Sequence, residues 1–244
     1  MDYSKQGAIK LFKMELEKLE NDLIEIISNG INKIESLELK NDNSVVTNCD
    51  IEIETNIISY LNNNFSEIYI ISEENIQNHK ESYFLKNRFA IIDPIDGTEN
   101  FYFLNNIFGS AISIVYDEIN YHLIYIPNQN IKISTLTINS FKNRDSKINL
   151  YSTSCLQQID ENLDKQSCRI LGSSSYMFYS ILSGNANSYE YCNGAKIWDY
   201  YTGISLALNS SLGFDIYFDG QKINKIPINL KHRSNFKIAF DGNK

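Results

Sequence analysis

An α-plus-β fold is predicted for this 244-residue chain by three observations. Apolar residues recur at three- and four-residue steps near the N-terminus and again after Trp198, the spacing of helices with one buried face. Short apolar or alternating runs fill the interval between, the spacing of strands. Beyond residue 147 segments of the two kinds alternate. A chain of this length can bury a large core as one or two domains, and a hydrophobic content of 43% argues against disorder.

Each element has its own warrant. Ile9, Phe12, Leu16, Leu19, Leu23 and Ile26 form one stripe, which predicts a helix over residues 4–28 closed by Gly30. Thr47-x-x-Asp50 is a capping-box pattern, ahead of a helix whose buried side carries Ile53, Ile57, Leu61 and Phe65. Ile68–Ile71 and Phe89–Ile92 are apolar runs that read as buried strands, and Pro94, lacking an N–H for the ladder, is expected to end the second. Ala111–Tyr116, Tyr121–Ile126 and Ile131–Thr137 alternate and predict an antiparallel meander. The polar stretch Lys142–Lys147 is the candidate boundary, dividing residues 1–143 from residues 144–244. After it come a strand at Ile148–Tyr151, a helix after Cys155, a strand at Arg169–Leu171 and a helix from Ser175. A helix after Trp198 and strands at Gly213–Phe218 and Phe236–Phe240 complete the order.

Charge and cysteine usage exclude several classes. Twenty-two Lys and Arg against 30 Asp and Glu give a net charge of −8, which disfavours a general binder of nucleic acid or anionic membrane. A phosphorylated substrate would need a local cationic device, and a bound metal ion supplies one. The cysteines Cys49, Cys155, Cys168 and Cys192 show no C-x-x-C spacing, so neither a zinc site nor a disulfide framework is expected. No signal peptide or long apolar span is evident, and a reduced, cytoplasmic setting is expected. His79, His122 and His232 share no spacing and match no motif.

The chemistry concentrates in Asp93-Pro-Ile-Asp-Gly-Thr98, directly after an apolar run. Asp93 and Asp96 lie three residues apart across a turn, so both carboxylates can face one point. Gly97 and Thr98 offer backbone N–H groups and a hydroxyl where a helix can begin. Hard cations take carboxylate oxygens, and phosphate oxygens take N–H groups at a helix start. Asp-Pro and Asp-Gly pairs also mark ordinary turns, and both readings fit the segment alone.

Three further segments accompany it in order: Lys40-Asn-Asp-Asn-Ser-Val-Val-Thr-Asn-Cys-Asp50, Ser72-Glu73-Glu74 and Ile197-Trp198-Asp199. Together they resemble the inositol monophosphatase superfamily of Mg²⁺-dependent phosphatases, over nearly the whole chain through Asp219-Gly220. The resemblance implies a layered α/β/α/β/α sandwich with a metal site between its halves, and monomers or homodimers. It implies Glu73, Asp93, Asp96 and Asp199, with the Ile95 carbonyl, as ligands of two or three Mg²⁺ ions, and inhibition by Li⁺. Asp50 and Thr98 would orient and deprotonate the attacking water, and Gly97 and Thr98 would hold the phosphate. Lys40-x-Asp-x-Ser-x-Val-Thr-x-x-Asp50, Leu171-Gly172-Ser173-Ser174 and Lys196 look closer to the CysQ-like 3′(2′),5′-bisphosphate nucleotidases. That likeness implies adenosine 3′,5′-bisphosphate or a related nucleoside bisphosphate as substrate, held by Lys40, Glu73, Asp96, Gly97, Thr98, Gly172, Ser173, Ser174, Lys196 and Asp199. Val45 replaces the usual proline, Glu99-Asn100-Phe101 leans toward the inositol branch, and Met177 and Tyr200-Tyr201 depart from the nucleotidase pattern. The alternative is an inositol or sugar phosphatase, and a regulatory binding role is a third class.

Bland roles stand beside these. Asp50 and Asp199 can serve as helix caps. Glu73 and Glu74 can be solvated acids, Lys40 a surface lysine, and Gly172–Ser175 a turn with an N-cap. Trp198 is expected in the core.

Overall fold

The computed structural model describes residues 3–32, 36–39, 45–74, 87–142, 145–156, 167–227 and 234–241, without the side chains of residues 3–10. Helix α1 (Tyr3–Gly30) leads to a short antiparallel pair, β1 (Leu37–Leu39) and β2 (Val45–Thr47), and then to α2 (Asn48–Asn64). α1 buries Leu16, Leu19, Leu23 and Ile27. Phe12, expected on that stripe, is 40% exposed. α2 buries Ile53, Ile57 and Leu61, the stripe its sequence predicts, each removal from water being worth about 1.5–3 kcal/mol. The two helices cross closely at Gly30, where a Cβ would stand 2.2 Å from the Ile53 side chain. Gly30 is thus a packing residue inside α1 as well as its end.

A five-stranded sheet follows in the order β3 (Tyr69–Ser72), β4 (Arg88–Asp96), β5 (Gly109–Tyr116), β6 (Ile119–Ile126), β7 (Ile131–Ser134). β3 and β4 run parallel and the rest antiparallel, so the meander forms as its alternation predicts. Both faces of this sheet are buried. Ala90 and Ile92 face α1 and α2, while Phe89 and Ile91 join the core on the other side. That is why β4 reads as a continuous apolar run rather than an alternating one.

Pro94 does not end β4. The strand continues to Asp96 through a bulge: Asp93 pairs with Ala111 and Asp96 with Gly109, leaving Pro94 and Ile95 outside the ladder. A bulge is the one interior place where a residue without an N–H costs the ladder nothing. The Ser110 hydroxyl donates to the Pro94 carbonyl at 2.5 Å.

The second half supplies β8 (Asn149–Tyr151), β9 (Cys168–Arg169), α3 (Ser174–Leu182), β10 (Ser188–Ala195) and α4 (Ile197–Asn209). β11 (Phe214–Phe218), β12 (Gln221–Lys222) and β13 (Ser234–Phe240) complete a six-stranded sheet of order β12-β11-β13-β10-β8-β9. α3 and α4 lie between the sheets, touching β4 to β6 on one side and β10 and β11 on the other. The layers therefore run helix pair, sheet, helix pair, sheet. The helix expected after Cys155 falls at residues 157–166, outside the described residues.

Two features escape the sequence reading. β10 lies inside its sheet, where no strand was expected, and its ladder with β13 shifts register between Tyr191 and Ala195, around Asn193-Gly194. Cys155 and Cys192 form a disulfide, with Cα atoms 4.9 Å apart, where no disulfide was expected. Parallel pairing of Tyr151 with Glu190 brings the turn at Thr153–Cys155 beside Cys192, a proximity invisible in a spacing of 37 residues.

Candidate active site

Chain ends converge where β3 and β4 stop. Glu73 follows β3, and Asp93, Ile95 and Asp96 occupy the bulged end of β4. Asp50 stands in the first turn of α2, and Asp199 in the first turn of α4. A cavity of about 310 Å³ is lined by Glu73, Asp93, Ile95, Asp96, Thr98 and Asp199, together with Gly97 and Gly172. The structure thus brings together all five ligands expected from sequence. The N-termini of α2, α3 and α4 point positive dipole ends toward this acidic group, which lowers the cost of assembling it.

Each carboxylate is held differently. Asp93 is 2% exposed, and its Oδ1 has no hydrogen-bond partner among the described residues. Burial, reinforced by Glu73, Asp96, Asp199 and Asp50, pushes its carboxyl well above the usual carboxylate range. Asp96 Oδ2 accepts from the Ser173 hydroxyl at 2.9 Å and from the Ser175 N–H, so it caps α3 from across the cavity. Burial raises its pKa and these bonds oppose the rise. Asp199 Oδ2 accepts from the Lys196 N–H at 2.6 Å, satisfying the backbone at the start of α4. Burial pushes Asp199 well up against that bond. Asp199 therefore does fill the capping role that the plain reading allowed, and Asp96 takes one at α3 that the sequence did not suggest.

Asp50 holds both of its readings at once. Its Oδ2 accepts from the Thr47 N–H at 2.9 Å and from the Thr47 hydroxyl, which completes the predicted capping box. Its Oδ1 accepts from the Thr98 hydroxyl at 3.2 Å. Burial raises the Asp50 pKa, partly offset by the Thr47 bonds. The Thr98 hydroxyl also reaches the Ile95 carbonyl at 3.0 Å.

Two loops are locked together beneath the cavity. Gly97 has φ +87°, and a Cβ there would lie 2.8 Å from the Ser173 Cβ. Gly172 has φ +75°, and a Cβ there would meet the Asn100 amide at 3.0 Å. Only glycine serves at either place. Asn100 Nδ2 donates to the Leu171 carbonyl at 2.7 Å and to the Ile107 carbonyl at 3.0 Å, tying the loops. From Thr98 the chain turns helical, becoming a π-helical turn at Asn100–Leu104.

The expected substrate contacts separate. Gly97, Thr98 and Gly172 line the cavity. Ser173 faces Asp96 and N-caps α3, and the Ser174 hydroxyl pairs with the Tyr189 hydroxyl at 2.9 Å. The Lys196 ammonium lies over the Trp198 ring, 5.9 Å from its centre. Lys40 lies outside the described residues. Glu99 and Tyr191 line the cavity without having been singled out for it from sequence. Glu99 sits inside the motif itself; Tyr191 carries no local signal, because it arrives on the unrecognised strand β10.

The donor set fits a hard divalent cation: four carboxylates and a carbonyl around one cavity, with a buried carboxylate oxygen lacking any partner. Among the described residues no three of these side chains close on a single point, because Asp96 and Asp199 are turned to backbone N–H groups.

The model of the inositol monophosphatase family matches residues 13–138. No curated protein sequence matches the chain. Solved structures do. An IMPase of Thermotoga maritima is similar with a TM-score of 0.71 at 18% identity, covering 91% of this chain and 92% of the other. A staphylococcal IMPase-I complexed with products gives 0.70 at 18% identity, covering 96% and 91%. An IMPase/NADP phosphatase complexed with Mg²⁺ and phosphate gives 0.69 at 17% identity, with the same coverage. Identities at this level show a shared layered α/β fold.

Proposed function

The chain belongs to the inositol monophosphatase family, and we propose that it hydrolyses the phosphate monoester of a neutral polyol, an inositol or sugar monophosphate, with Mg²⁺. The observation that carries this reading is the buried, partnerless Asp93 oxygen within a cavity of convergent carboxylates, beside the Asp50–Thr98 pair. Glu73, Asp93, Asp96, Asp199 and the Ile95 carbonyl would hold the cation. When bound, it supplies positive charge to the phosphoryl group and to the departing oxygen. The N–H groups at the helical turn after Gly97 face the place where phosphate oxygens would lie. Thr98 orients the attacking water, and Asp50, its pKa raised by burial, accepts the proton through the Thr98 hydroxyl.

The described walls support selection against a second phosphate. A nucleoside bisphosphate needs a cationic or N–H-rich patch for its remote anion. The Ser173 and Ser174 hydroxyls are engaged with Asp96 and Tyr189, and Lys196 rests on Trp198. The further side chains at the cavity are Val45, Tyr191 and Glu99, of which the one charged group is an anion. These placements favour the monophosphate over the bisphosphate suggested by the Lys40–Asp50 and Gly172–Ser174 segments. Phosphate release from inositol 1-phosphate, glucose 1-phosphate and adenosine 3′,5′-bisphosphate at equal Mg²⁺ tests the proposal. The monophosphates should show the higher kcat/KM, and all release should stop in EDTA. A higher kcat/KM for the bisphosphate would restore the nucleotidase reading.

A further inference from the structure

A second polar cavity lies away from the carboxylates, between β6, α4 and the segment after β12. It measures about 220 Å³ and is floored by His122. That histidine is 1% exposed, and its Nδ1 is 2.9 Å from the Ser113 hydroxyl, which is in turn 2.8 Å from the Thr202 hydroxyl. Its Nε2 has no hydrogen-bond partner among the described residues. The Ser113 hydroxyl can donate to Nδ1, and in that tautomer the ring proton sits on Nε2, where an oxyanion would meet an N–H.

Beside the apolar Leu208 and Ile226, the polar side chains of the lining are suited to donate. Tyr201 and Ser205 of α4 present hydroxyls, Asn120 and Asn224 present amides, and Lys225 stands on the rim. Among the described residues no carboxylate lines this cavity, in a chain whose net charge is −8. The candidate active site is the opposite, lined by Glu73, Asp93, Asp96, Glu99 and Asp199. A concave site with convergent donors, one cation and no anion selects negative charge.

We propose that this cavity is a binding site for a small oxyanion, a free phosphate or a carboxylate, received by His122 Nε2 and Lys225. α4 lines both cavities, with Asp199 in its first turn and Tyr201 and Ser205 immediately beyond. The test is nitrogen-15 NMR of the histidine rings during titration at pH 7.5 and constant ionic strength, on protein freed of metal by chelating resin, with orthophosphate in one arm and acetate in the other. Without a cation the carboxylate-lined cavity repels both anions, so binding there does not confuse the result. A saturable shift of the His122 ring nitrogens in the Nε2–H tautomer is expected, assigned by its loss in His122→Gln. Lys225→Ala, on the exposed rim, should weaken binding about tenfold, as removal of one charge-assisted hydrogen bond implies. The arm that saturates at lower concentration names the anion. Failure of His122 to shift with either anion, a shift confined to His79 or His232, or unchanged affinity in Lys225→Ala would overturn the proposal.

Discussion

Asp93 carries a large electrostatic cost, since its carboxylate is buried beside four others with one oxygen unpartnered. Replacing it by a neutral amide relieves that repulsion while removing a hard anionic ligand. Asp93→Asn should therefore raise the melting temperature in EDTA, by the few degrees that about 1–2 kcal/mol produces in a chain of this size. Turnover with Mg²⁺ should vanish. Calorimetry and phosphate release check the two halves separately, and a lower melting temperature in EDTA would show that Asp93 is structural. Thr98 and Asp50 separate chemistry from capping. Thr98→Ala should reduce kcat about 10²–10⁴-fold with little change in stability. Asp50→Asn should reduce kcat similarly and also cost about 1 kcal/mol, because Asp50 closes the box on α2. An Asp50→Asn variant with normal kcat would leave Asp50 a cap alone.

At the scale of elements, the site depends on helices delivered tightly onto the sheets. α3 and α4 cross at Gly203, where a Cβ would fall 2.1 Å from the Phe178 ring. That ring is 1% exposed and packed against Tyr189 and Phe236, so it cannot retreat. Gly203→Ala should destabilise the protein by about 1–3 kcal/mol through overpacking. Adding Phe178→Leu should recover part of the loss, and chemical denaturation of both variants measures it. If Gly203→Ala melts like the parent chain, the crossing is looser than its geometry. The bulge in β4 matters equally, because it re-aims Asp96 toward α3 while Asp93 stays in the ladder.

For the whole molecule, acid stability should carry the mark of one buried imidazole. Burial lowers the His122 pKa from 6.5 to about 3. Between those values the unfolded chain binds a proton that the folded chain refuses, so protonation favours unfolding. This contribution is complete above pH 6.5 and is lost progressively as pH falls toward 3, at about 1.4 kcal/mol per unit. His122→Gln should flatten that limb of the stability profile relative to the parent chain. Parallel profiles for the two, followed by urea denaturation from pH 7 to pH 4, would contradict the assignment.

Local patterns settled most of the elements, because each is a periodicity imposed by a single buried face. The stripe of α2 and the alternation of β5 to β7 are examples, and Thr47-x-x-Asp50 is legible because a capping box closes within one turn. The carboxylates of the site were legible for a related reason: Asp93 and Asp96 lie in one short motif, and Glu73 and Asp199 in recognisable companions. What the sequence could not decide was how residues far apart would meet. Pro94 inside a strand needs the pairing with β5, the Cys155–Cys192 bond needs the parallel pairing of β8 with β10, and Tyr191 reaches the cavity only on β10. Ser173, Ser174 and Lys196 looked available for substrate until packing gave them Asp96, Tyr189 and Trp198 as neighbours. Residue types and spacing determine which groups a chain offers, whereas burial and long-range hydrogen bonds decide which of them remain free to act.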